Sequence, residues 1–119
     1  MTVLRIVPNI AVADPAAASQ FYETLFGLEQ VMDHGWILSL AADTRARPQL
    51  SLASQGGSGT PVPNISIEVD DVDATHQRAR EAGIHIIYPL TDEPWGVRRF
   101  QVRDPAGTLL NILSHRGDA

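Results

Sequence analysis

The chain contains no cysteine, which excludes disulfides, thiolate metal sites and thiol nucleophiles. It also lacks any concentrated basic stretch: 9 Arg and Lys stand against 14 Asp and Glu, for a formal net charge of -5 and a pI near 5.1. Nucleic-acid binding is therefore not expected as the main function, because phosphate contacts need a clustered basic face. No apolar run approaches the roughly 18 residues of a membrane span. The start, Met1-Thr2-Val3-Leu4-Arg5, runs straight into a strand-like segment instead of a signal-peptide core. The expected compartment is the cytosol. What remains is ordinary globular composition, 44% hydrophobic and 19% charged, over 119 residues, one domain's worth of chain. A chain this short buries only about two-thirds of its unfolded surface, so a subunit interface would help it.

The order of local signals occurs twice. Ile6, Pro8, Ile10 and Val12 alternate as one face of a strand. Asp14-Pro15 then supplies an N-cap acceptor and a first-turn proline. Ala18, Phe21, Tyr22 and Leu25 follow at helical spacing as an expected buried stripe, and Gly27 is placed to end the helix. Strands are expected near residues 28–33, 36–41 and 48–53. In the second half, Ile65, Ile67 and Val69 alternate, Asp71 caps a helix carrying Val72, Ala79 and Ala82, and Gly83 closes it. Strands near 84–90, 97–103 and 108–114 complete the unit. Asp14 matches Asp71 at an offset of 57 and Gly27 matches Gly83 at 56, the mark of an internal repeat.

The expected architecture is α+β: two βαββ modules, residues 3–53 and 63–115, each a curved mixed sheet with its helix on the outer face. The inner faces would enclose a ligand cavity. Residues 54–62, rich in Gly and Ser, read as a flexible hinge compatible with side-by-side or exchanged modules.

Asp14-Pro15 with Phe21-Tyr22 and Leu25-Phe26-Gly27-Leu28, Val69-Asp70-Asp71-Val72-Asp73 with Ala82-Gly83, Trp95-Gly96-Val97-Arg98-Arg99-Phe100, and Asp104-Pro105-Ala106-Gly107-Thr108 come in an order that is known from one family. The chain resembles, over nearly its whole length, the glyoxalase/bleomycin-resistance/extradiol-dioxygenase superfamily, with Ala106 in place of the usual acidic residue. In metal-dependent members the resemblance implies histidines seven positions before each helix cap and a glutamate in the last strand. Here those positions hold Val7, Asn64 and Asn111. Valine has no ligand atom and neutral amides hold divalent ions weakly, so no metal or other cofactor is expected. His34, His76, His85 and His115 fall at none of these positions.

The inner faces then offer Asn64, Ser66, Glu68 and Asn111 as polar anchors, with Arg99 able to meet an anionic group. The alternatives are amides that satisfy backbone groups and arginines that pair with the acidic surface. Trp36, with Leu38 beside it by period two as a further candidate ligand-binding residue, and Trp95, in a Pro-Trp-Gly turn, suit stacking on a planar ligand, the alternative being a core or interface tryptophan. The expected function is metal-independent binding of a planar or aromatic small molecule, as by bleomycin-resistance-type relatives that sequester an antibiotic, in a cytosolic homodimer. One rival is a metal-free isomerase, cyclase or lyase with Glu68 as base. Another is a metalloenzyme with relocated ligands.

Overall fold

A computed structural model describes residues 1–116. The described chain carries eight strands and two helices in an α+β arrangement. They run β1 (Val3–Ala11), α1 (Pro15–Phe26), β2 (Glu29–Asp33), β3 (Ile37–Ala41), β4 (Gln49–Ala53), β5 (Ile65–Val69), α2 (Val72–Glu81), β6 (Tyr88–Asp92), β7 (Val97–Arg103) and β8 (Leu109–His115). The strand–helix–three-strand order recurs as the sequence repeat implies. The chain divides into two compact units, Val7–Val62 and a second made of Met1–Ile6 with the chain from Pro63 onward. The division falls within β1, between Ile6 and Val7.

In the unit of residues 7–62 the strand order is β2-β3-β4-β1. β1 runs parallel to β4, with Asn9 opposite Ser51, and β2–β3 and β3–β4 are antiparallel. Asp14 caps α1 by accepting from the Ala17 amide at 3.3 Å, and Gly27 ends it at φ 65, where a side chain is disfavoured. The core beneath α1 is Leu38, Leu40 and Leu52, with Val12, Ala18, Tyr22, Leu28 and Leu50 packed on it.

One expectation for this unit is corrected. Phe21 and Leu25 do not join Ala18 and Tyr22 beneath the helix; they are about 60% exposed, as is Phe26. The face turned inward instead carries Ser19, fully buried, whose hydroxyl donates to Glu23 at 2.6 Å and so needs no apolar neighbour for compensation. The loop after β4 contains a hydrogen-bonded turn. Gly56 donates to the Thr60 carbonyl at 2.8 Å, and Thr60 donates back to Gly57 at 3.0 Å. A β-carbon on Gly56 would lie 2.0 Å from the Pro61 carbonyl oxygen. Gly56→Ala should therefore lower stability by about 1–3 kcal/mol through overpacking against backbone, read as a melting temperature several degrees lower. An unchanged melting curve would show that this turn opens freely.

In the second unit β5-β8-β7-β6 is the strand order, with the start of β1 beside β5. β5 runs parallel to β8, while β7–β8 and β6–β7 are antiparallel. Asp71 caps α2 through the Ala74 amide at 3.0 Å, and Ser114 adds a bond to the Val72 amide. The core under α2 is Val69, Val72, Ala79, Phe100 and Val102, joined by Ile67, Leu90, Leu110 and Ile112. The first strand after α2 begins at Tyr88 rather than near residue 84. Gly83 at φ 73 and the Ile84 amide bonding back to the Ala79 carbonyl prolong the helix exit and consume the intervening residues. The Asp104-Pro105-Ala106-Gly107 hairpin explains why alanine is tolerated in its third place. Asp104 accepts from the Ala106 and Thr108 amides, both at 2.9 Å, so only the backbone of Ala106 is used.

Candidate functional site

Alternation along β5, β7 and β8 turns Ile67, Phe100, Leu110 and Ile112 toward α2, which leaves Ser66, Glu68, Arg99, Gln101, Asn111, Leu113 and His115 on the opposite face of that sheet. Two polar clusters form there.

The first is centred on Arg99, only 2% exposed although it carries a full charge. Its Nε donates to Glu93 Oε2 at 2.7 Å, and Glu93 is itself 3% exposed. Tyr88 donates its hydroxyl to the same carboxylate oxygen at 3.0 Å. The guanidinium carbon lies 4.9 Å from the Tyr88 ring centroid and 5.1 Å from that of Trp95, both in cation–π range. Arg99 Nη1 donates to Asn111 Oδ1 at 3.3 Å, Gln101 Nε2 reaches the same oxygen at 3.4 Å, and Asn111 Nδ2 donates to Ser66 at 3.2 Å. Burying an ion pair is worthwhile only when its remaining polar atoms are bonded, and this network meets that condition.

The second cluster is centred on Glu68. Its Oε1 accepts from Arg5 Nε at 2.5 Å and its Oε2 lies 2.6 Å from His115 Nδ1. Partial burial raises the Glu68 pKa, but hydrogen bonds from His115 and Arg5 and their charges outweigh it, and the net displacement is downward. A carboxyl that holds its proton more weakly in the folded chain stabilises the fold above the usual carboxylate range. That contribution is lost as pH falls through the folded pKa. Glu68→Gln should accordingly flatten the acid limb of a stability–pH curve while leaving the melting temperature above neutrality less affected, a comparison for calorimetry across pH 3 to 8. An acid limb identical to that of the unsubstituted protein would count against the Glu68 pairing.

The structure thus places Ser66, Glu68, Arg99 and Asn111 on one sheet, with Trp95 in the turn before β7 against Arg99. Asn64 is exposed, and its Oδ1 accepts from the Leu109 amide at 2.9 Å, which matches the backbone-satisfying alternative. Leu38 is a correction: at 1% exposure it lies in the core under α1, because the residues that share its face, Leu40 and Leu52, pack against that helix. Trp36, half-buried, belongs to the same unit as Leu38 and stacks on His34 with ring centroids 6.4 Å apart. Arg98 and Arg103 behave as surface arginines, paired with Asp73 and Asp92 and with the Gly107 carbonyl. Arg99 does not: its carboxylate partner is the buried Glu93. Glu93 and its partner Tyr88 have no signature in the sequence beyond a turn residue and a strand aromatic. His115 was visible only as a tail histidine.

The residues at the three family ligand positions do not fit a divalent ion. Val7 is buried and offers no donor. The Asn64 oxygen is engaged by a backbone amide, and the Asn111 oxygen accepts from a guanidinium whose positive charge would repel a metal. Among the described residues no three His, Asp or Glu side chains gather as a metal-holding group.

Paired strand–helix–three-strand units with a polar network on one sheet face define a small α+β protein of the class that carries its sites on curved sheets. The chain belongs to the Glyoxalase/Bleomycin resistance protein/Dioxygenase superfamily, whose family model matches residues 3–112. An uncharacterised Mycobacterium bovis protein is 34% identical over 84% of this chain and 76% of its own length. Among solved structures, an NAD-dependent benzaldehyde dehydrogenase from Legionella pneumophila superposes with TM-score 0.77 at 20% identity, over 94% of this chain and 100% of that one. A Streptomyces coelicolor methylmalonyl-CoA epimerase variant in complex with 2-nitronate-propionyl-CoA gives 0.71 at 21%, over 98% and 100%. At such identities these likenesses speak for the fold alone.

Proposed function

We propose that this protein is a metal-independent small-molecule binding protein of the glyoxalase/bleomycin-resistance type, which takes a planar or aromatic organic ligand, an antibiotic or metabolite, against the polar face of β5, β7 and β8. The observation that carries this reading is Arg99, a buried guanidinium hydrogen-bonded to Glu93 and to the oxygen of Asn111, the position where the family's metal-dependent members place a carboxylate. Half-buried Trp95, braced by Arg99, supplies aromatic surface, while Ser66 and Asn111 supply polar anchors that orient a ligand. The assembly in this reading is a homodimer, for which the exposed Phe21, Leu25 and Phe26 of α1 offer apolar surface.

Native mass spectrometry of freshly purified protein, combined with plasma spectrometry, tests the reading. The expected result is a dimer that carries a small organic molecule with no stoichiometric transition metal, and a melting temperature unchanged by chelator. Near one equivalent of Zn, Fe, Mn or Ni, with stability lost on chelation, would overturn metal independence. A monomer mass at tens of micromolar would overturn the dimer.

A further inference from the structure

We propose that Glu68 and His115 form a proton-transfer dyad on the same sheet face, with Nε2 of His115 as general base toward an activated C–H of a small planar ligand. This rests on the reading that the face binds such a ligand, and it adds a chemical step to it. The carboxylate oxygen 2.6 Å from His115 Nδ1 requires Nδ1 to carry the proton when the ring is neutral, which places the basic lone pair on Nε2. Among the described residues no hydrogen bond engages Nε2. The imidazole is half exposed while Glu68 is largely covered, so the base is reachable and its partner is held. When Nε2 takes a proton, the imidazolium that forms is stabilised at once by Glu68.

Glu68 itself is poorly placed for the role that the sequence suggests. Both of its oxygens are engaged, one by Arg5 and one by His115, and its basicity is reduced accordingly. The structure therefore moves the base from Glu68 to His115 and leaves Glu68 as a positioning residue. Around the dyad, β1 contributes Arg5, β5 contributes Glu68, and β7 presents Val97 opposite His115. Arg99 lies opposite Leu113, two positions along β8. Arg5 acts on Glu68, so the imidazole meets one carboxylate directly and one guanidinium through it.

The probe is 5-nitrobenzisoxazole, a planar aromatic carbon acid whose ring opening needs only a base. The base removes the proton on C3, the C–H electron pair becomes the third bond of a nitrile, and the N–O bond breaks to leave a coloured phenolate. No co-reactant is consumed. Elimination by the purified full chain is expected to saturate with substrate. It should fall roughly a hundredfold in His115→Ala, as loss of a general base does. In Glu68→Gln it should fall at least tenfold, because the imidazolium that forms loses its carboxylate. His85→Ala, an exposed histidine in the α2–β6 connection, should leave the rate unchanged. Long-range proton–nitrogen spectra of the unsubstituted protein should show His115 as the Nδ1–H tautomer. Rates no higher than free imidazole at equal concentration, or equal rates with and without His115, would overturn the proposal. Binding of the inert analogue 5-nitrobenzotriazole, measured by calorimetry, separates the two readings. Binding without elimination removes the dyad and leaves the binding reading standing, whereas a carried-over ligand that is never found, with no analogue binding, removes the binding reading itself.

Discussion

Glu93→Ala is expected to destabilise the protein by about 3–5 kcal/mol, a large share of the 5–15 kcal/mol that holds a domain of this kind together. The reason is what the substitution leaves behind. Arg99 would keep its charge at 2% exposure with its carboxylate gone, and the Tyr88 hydroxyl would lose its acceptor. A guanidinium does not deprotonate to escape this penalty, so the chain must rearrange or unfold. The double substitution Glu93→Leu with Arg99→Met removes both charges together and should recover most of the loss, because well-packed apolar residues replace buried ion pairs at little cost. Urea denaturation of the single and double variants gives the comparison. A single variant within about 1 kcal/mol of the unsubstituted protein would mean that water already reaches this pair. Tyr88→Phe, which removes only one hydrogen bond to Glu93, belongs in the same series, with a loss nearer 1 kcal/mol.

Much of the fold could be read from local chemistry, because the signals that set it are local. Asp14 and Asp71 cap their helices through side-chain oxygens three residues ahead, and the repeat offset between them is visible in one dimension. Alternation placed Ile67 and Val69 correctly against α2. Errors arose where two periodicities compete. Phe21 and Leu25 satisfy a helical stripe as well as Tyr22 does, yet a helix buries only the stripe its sheet meets, and small residues such as Ala18 and Ser19 allow the closer approach. Leu38 failed for the related reason that a period-two pattern names a face without saying which one is the core.

The site was legible as a set of residues but not as a network. Asn111 and Arg99 were both identifiable, one as the occupant of a ligand position and one as an arginine on an apolar strand. Their hydrogen bond, and the burial of Glu93 just before the Pro94-Trp95-Gly96 turn, depend on hairpin register. β7 pairs Thr91 with Arg99 across an irregularity in β6 that no sequence pattern announces. Once the register is known, the asparagine at the family's acidic position acquires a reason. A second carboxylate beside Glu93 would overcompensate Arg99, whereas a neutral amide accepts from Arg99 and Gln101 and donates to Ser66 without adding charge. The departure from the metal-dependent pattern and the buried ion pair are thus one physical arrangement.

Trp95→Ala should separate ligand recognition from folding. The indole is half-buried, contacts the Arg99 guanidinium at 5.1 Å, and follows Pro94 and precedes Gly96 at φ 90, so its backbone is pre-set by the turn rather than by its own packing. Truncation removes one of two aromatic neighbours of Arg99 while Tyr88 remains, a loss of about 0.5–2 kcal/mol, and the melting temperature should fall by only a few degrees. Binding should suffer more. Loss of an aromatic stacking partner in a planar-ligand site is expected to weaken 5-nitrobenzotriazole by roughly tenfold to a hundredfold, which is about 1.4–2.7 kcal/mol. Trp95→Phe, which keeps a smaller aromatic surface and a weaker cation–π contact, should restore part of that affinity at nearly full stability. The two measurements are thermal melting and calorimetric titration on the same preparations. If Trp95→Ala melts far below the unsubstituted protein while its affinity is unchanged, Trp95 is a brace for Arg99 alone, and recognition must rest on the amide and hydroxyl groups of Asn111 and Ser66.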